Sequence, residues 1–102
     1  MARQRVAAVE DVPPGTLKRV LLDETAICLI HTADGELYAI DDACSHEEQS
    51  LSEGEIWGVE IECPRHLSRF DFRTGEPTAP PALTPLRTYR VSKEGGDVVI
   101  DL

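Results

Sequence analysis

No apolar run in this 102-residue chain is long enough to cross a bilayer. The longest, Ala26 to Ile30, falls far short of the roughly 20 residues a spanning helix needs. The basic start Met1-Ala2-Arg3-Gln4-Arg5 is followed by no hydrophobic region of signal-peptide length before Glu10-Asp11. A cytoplasmic location is therefore expected, without a membrane partner. Three cysteines in such a compartment argue against a disulfide framework. Aromatic residues are scarce as well: Trp57, Tyr38, Tyr89, Phe70 and Phe72. One domain spanning 1–102 is the natural reading, with a modest core that buries roughly two-thirds of the unfolded surface. Basic residues are outnumbered, 10 against 19 acidic, for a formal charge of −9. That balance argues against nucleic acid, which rewards basic patches. It suits encounter with a positively charged protein face, or simply keeps a small protein soluble.

Also missing is any convincing amphipathic helix. What is present is a series of short strand-like segments divided by turn residues. Val6 to Val9 and Leu17 to Leu22 are separated by Pro13-Pro14-Gly15. Ala26 to Thr32 and Glu36 to Ile40 flank Ala33-Asp34-Gly35, a hairpin signal. Tyr89 to Ser92 and Val98 to Asp101 flank Lys93-Glu94-Gly95-Gly96-Asp97, which predicts a second hairpin. This spacing predicts an all-β fold, an antiparallel sandwich or barrel. Residues 41–85 differ in character, holding five of the seven prolines. There, Glu55 to Glu62 predicts a strand pair interrupted at Gly58, which sets Cys63-Pro64 just past a strand end.

Two cysteine–histidine pairs carry the chemistry: Cys44-Ser45-His46 and Cys63-Pro64-Arg65-His66. Together they supply two thiolates and two imidazoles, a donor set that suits zinc or an iron–sulfur cluster rather than magnesium or calcium. A zinc finger groups its cysteines on one knuckle and its histidines on another. Here each loop carries one of each. Pro64 fixes the backbone and removes a donor, as a rigid ligand loop requires. Cys28 and His31 have no partner at ligand spacing and read as structural residues of an apolar strand.

The interleaved pairs resemble the Rieske family, in which two histidines replace two cysteines on one iron of a [2Fe–2S] cluster. Phe70-Asp71, Thr74-Gly75 and the later Pro77, Pro80 and Pro81 extend the resemblance over nearly the whole chain. It implies Cys44 and Cys63 on one iron, His46 and His66 on the other. It also implies a cluster-binding subdomain at about 42–85 inserted into the β-framework, with the histidine edge at an exposed tip. High-potential members brace their loops with a disulfide, but the matching positions here are Gln49 and Arg65. Ser68 occupies the position of a serine that hydrogen-bonds a cluster sulfide, while Phe70 replaces a tyrosine that bonds a ligand sulfur. Hydrogen bonds to sulfur raise the potential, so these replacements point to its low end. Leu67 stands where many relatives have glycine. A cluster joining two loops should also support folding, so the apo form is expected to be less stable around 43–73.

The resemblance implies an electron carrier rather than an enzyme. A Rieske oxygenase adds a mononuclear iron on two histidines and a carboxylate, for which His31 alone is insufficient. The implied role is a monomeric ferredoxin passing one electron from a flavoprotein reductase to the terminal oxygenase of an aromatic-ring dioxygenase. Alternatives are the small subunit of an assimilatory nitrite reductase, a ferredoxin of iron–sulfur assembly, and a zinc-stabilised binding module. Glu47, Glu48, Glu53 and Glu55 are either a docking face or a solvated rim.

Overall fold

The computed structural model describes residues 3–43, 50–64, 68–79 and 84–101. Among them run β1 (Arg3–Ala8), β2 (Thr16–Leu22), β3 (Thr25–His31) and β4 (Leu37–Asp41), then β5 (Glu55–Trp57) and β6 (Glu60–Glu62). Next come β7 (Arg69–Asp71), β8 (Pro77–Ala79), β9 (Thr88–Glu94) and β10 (Asp97–Asp101). Single 3-10 turns cover Val9–Asp11 and Leu51–Glu53. Every pairing is antiparallel. Six strands form one sheet in the order β1-β10-β9-β4-β3-β2, and four form a second, β5-β6-β7-β8. The edge strands β1 and β2 touch, so the large sheet curls upon itself and its two long edges shield each other.

The unbroken apolar run of β3 has a physical reason: both of its faces are buried. Ile27 and Leu29 point inside the curl with Val20, Leu22, Ala39, Val98 and Ile100. Cys28 and Ile30 point to the opposite face, against Leu51, Ile61, Phe70 and Phe72 of the second region. β4 repeats the division with Ala39 inside and Ile40 outside.

The hairpin at 33–35 forms as expected, with Gly35 at φ +93° and its N–H bonded to the Thr32 carbonyl at 3.0 Å. Glu36, expected in the strand, instead lies in this turn, where its carbonyl accepts from the Thr32 N–H at 2.8 Å. The last hairpin is tighter than its sequence suggests. Glu94 pairs with Asp97, so Lys93, Glu94 and Asp97 are strand residues and Gly95-Gly96 alone turns the chain. Gly95, at φ +64°, supplies the left-handed conformation that a two-residue turn needs. Val9, expected in the first strand, opens the 3-10 turn instead.

The pair broken at Gly58 is present as β5 and β6. β7 and β8 were not expected, because three residues are too few to display an alternating pattern. β4 and β9 are neighbours in the large sheet, pairing Ala39 with Tyr89 and Ile40 with Thr88. The described residues between them, from Asp42 to Arg87, form no strand of that sheet. The small sheet is built from this stretch of chain, which in sequence also carries both cysteine–histidine pairs.

Candidate metal centre

Cys44, His46 and His66 lie outside the described residues, as do Gln49, Arg65, Leu67, Glu47 and Glu48. The structure does describe the stems of both loops. The first opens and closes on an isolated antiparallel bridge between Ala43 and Ser50, supported by the Leu51 N–H donating to the Asp42 carbonyl at 2.7 Å. The second is closed by the Cys63 N–H donating to the Ser68 carbonyl, also at 2.7 Å. The described residues flanking each cysteine–histidine segment thus meet one another.

The two stems share a base. Leu51, just past the first loop, and Cys63, at the start of the second, are both fully buried in one apolar cluster with Cys28, Ile61 and Phe70. Backbone contact draws them closer still. A Cβ on Gly54 would lie 1.9 Å from the Glu62 carbonyl oxygen, so only glycine allows the chain after the first loop to touch the residue before Cys63. Gly75, at φ +83°, makes a similar approach to the Leu86 carbonyl and fastens the far end of the region.

The first stem also holds a buried carboxylate, Asp42. Its Oδ1 accepts from the Ser52 N–H at 2.9 Å and its Oδ2 accepts from the Ser50 hydroxyl. Arg19 of β2 approaches Oδ2 at 3.3 Å. Neither Asp42 nor Gly54 was singled out from the sequence. Asp41-Asp42 looks like more acidic surface, and Gly54 has no left-handed φ to announce its role.

The residues singled out from the sequence divide clearly. Cys63 is a free, wholly buried thiol at the loop stem. Ser68 is buried beside it in the same stem. Phe70 fills the core beneath Cys63. Cys28 is structural: burial, reinforced by the negative charge of Asp42, pushes its thiol far above the ordinary value and keeps it protonated. His31 is buried and donates from Nδ1 to the Val12 carbonyl at 2.6 Å, while its Nε2 has no partner. A carbonyl only accepts, which fixes Nδ1 as the protonated nitrogen. Among the described residues no three His, Cys, Asp or Glu side chains gather into another metal site.

The model of the Rieske [2Fe-2S] domain matches residues 2–90. The chain belongs to the Rieske [2Fe-2S] domain family. Among its relatives is the ferredoxin component of the p-cumate 2,3-dioxygenase system of Pseudomonas putida, 44% identical over 98 residues, covering 95% of this chain and 83% of that protein. Another is the 3-phenylpropionate/cinnamic acid dioxygenase ferredoxin subunit of Escherichia coli K12, 42% identical over 103 residues and covering 100% and 95%. The solved ferredoxin of carbazole 1,9a-dioxygenase from Nocardioides aromaticivorans IC177 superposes with a TM-score of 0.91 at 36% identity, covering 98% of this chain and 97% of that one. A ferredoxin in a structure named as a complex of reduced oxygenase and oxidized ferredoxin in carbazole 1,9a-dioxygenase gives 0.88 at 35%, covering 96% and 100%. A structure named as a nitrite reductase small subunit from Mycobacterium tuberculosis gives 0.86, covering 97% and 93%, but at 18% identity that likeness extends to the fold alone.

The cofactor of this Rieske protein is accordingly a [2Fe–2S] cluster, and zinc is set aside. Its role is electron transfer within a dioxygenase system, as a ferredoxin component and not a catalytic subunit. The residues present fit such a group. Cys63 is a free cysteine at a stem closed by a backbone hydrogen bond, and both stems rest on one core, as a thiolate ligand of such a cluster requires. No helix among the described residues is long and apolar enough to cross a membrane.

Proposed function

We propose that this Rieske ferredoxin is a cytoplasmic monomer that accepts one electron from a flavin-dependent reductase and delivers it to the terminal oxygenase of an aromatic-ring dioxygenase. The observation that carries the reading is similarity along essentially the full chain to ferredoxin components named for such systems. A related ferredoxin solved in complex with its oxygenase supports direct protein–protein delivery.

In this reading residues 1–102 are one Rieske domain, with 42–85 binding the cluster. Cys44 and Cys63 hold one iron, His46 and His66 the other. When bound, the cluster takes up and releases a single electron. Cys63 supplies a thiolate from a stem that its own N–H bond to the Ser68 carbonyl keeps rigid. The histidines, being neutral, remove the charge two further thiolates would add and so ease reduction. Ser68, whose carbonyl accepts from the Cys63 N–H, offers a hydroxyl to raise the potential, whereas Phe70 fills its position without a polar atom.

Redox titration of the purified holoprotein followed by EPR tests the assignment. Iron and sulfide in equal amounts, an average g below about 2 in the reduced state and reduction by a flavoprotein are expected. Zinc in place of iron, or obligate copurification with a large nitrite reductase subunit, would overturn it.

A further inference from the structure

Asp42 is the one fully buried carboxylate among the described residues. Removing a charge from water is unfavourable unless its oxygens are matched, and here the matches are one-sided. Ser50 and Ser52, which follow the 44–49 segment, donate to the carboxylate of Asp42, which precedes it, and the Leu51 N–H donates to the Asp42 main-chain carbonyl. One residue therefore ties together both ends of the segment bearing Cys44 and His46. Arg19 is the only cation paired with this carboxylate among the described residues. It lies on β2 directly across from Cys28 of β3, so the pair bolts the first loop to the large sheet. The two charges sit in unequal surroundings, with Asp42 3% exposed and Arg19 54%.

We propose that Asp42 and Arg19 are positioning residues that clamp the first ligand loop and set the electric field at the cluster. The inference rests on the ligand assignment above. Asp42 stands two residues from Cys44, a reach of at most about 7 Å along the chain. A buried charge at the stem of the segment that carries Cys44 is weakly screened and acts on the added electron. The carboxylate opposes reduction, and the guanidinium offsets part of that opposition. Removing one charge should therefore shift the potential in the direction opposite to removing the other.

The test is redox titration of three holoproteins, Asp42→Asn, Arg19→Met and the double variant, beside the parent. Asp42→Asn should raise the midpoint and Arg19→Met should lower it, each by a several-fold change in the reduction equilibrium. The double variant, which removes both charges, should fall between the two single variants and nearer the parent midpoint, because the two shifts oppose each other. Asp42→Ala, which also loses the hydrogen bonds, should release iron to a chelator about tenfold faster than the parent. A merely structural role would move both potentials the same way or neither, and that result overturns the proposal. If Asp42→Asn does not fold, Arg19→Met alone decides, since an unchanged or raised midpoint there is sufficient refutation. A parent protein lacking a Rieske EPR signal would instead sink the ligand assignment itself.

Discussion

The large and small sheets solve the same problem with unequal means. The large sheet uses strands of five to seven residues. Among its neighbours, β2–β3, β3–β4 and β9–β10 are also consecutive in sequence, joined by short turns. It encloses its own core, from Ala7 to Ile100. The small sheet has strands of three residues and buries one face against the outside of the large sheet. Its other face meets water. There Trp57 remains 49% exposed, and Arg69 lies 5.1 Å over its ring while pairing with Glu62 at 2.9 Å. An isolated sheet of such short strands is marginal in water. Its stability is borrowed from the surface on which it rests and from the metal its loops hold. A scaffold that stands alone can thus carry a site made of weak elements.

Core truncations would break this asymmetry most forcefully. Phe70→Ala should destabilise the protein by about 3–5 kcal/mol and Leu29→Ala by about 2–5 kcal/mol. Only Phe70→Ala, beneath Cys63, should also bleach the cluster absorbance of the folded fraction. Denaturant unfolding monitored in parallel by far-UV CD and visible absorbance checks this. Equal bleaching in both variants would mean that the two cores are not separable.

A subtler probe compares glycines. Gly54→Ala drives a methyl into the Glu62 carbonyl and pushes the loop stems apart, at an expected cost of about 1–3 kcal/mol and with poorer iron retention. Gly35→Ala, in open space at φ +93°, carries only backbone strain of about 1 kcal/mol and should keep its full complement of iron. Thermal melts with iron analysis distinguish the two.

The smallest effect isolates one hydroxyl. Ser68→Ala should leave the fold intact and lower the midpoint potential by about 40 mV, the one-electron equivalent of a ~1 kcal/mol hydrogen bond. An unchanged voltammogram would exclude Ser68 from tuning.

Much of the large sheet is legible in the sequence because local rules and tertiary context agree there. Apolar runs bounded by Asp-Gly and Gly-Gly locate four of its strands within a residue or two. β7 and β8 are not legible: Arg69–Asp71 is too short to show periodicity, and β8 opens on Pro77, a residue that usually argues against a strand. Cys63 stands out in the sequence through its spacing to His66, and the structure buries it at a loop stem. Asp42 does not stand out, since an aspartate at a loop stem looks the same whether solvated or buried.

Sequence alone pointed to the chemistry: two cysteines and two histidines in interleaved pairs resemble the Rieske pattern, and the family match bears out the [2Fe–2S] cofactor. It also determined the all-β class, through hydrophobic patterning and turn residues. Tertiary structure decided how the loop stems meet. Leu51 and Cys63 enter one core, Gly54 lets the backbones touch, and Asp42 closes the first loop under the charge of Arg19. Those contacts join residues far apart in the chain. Their energies come from burial and close approach, which no local pattern records.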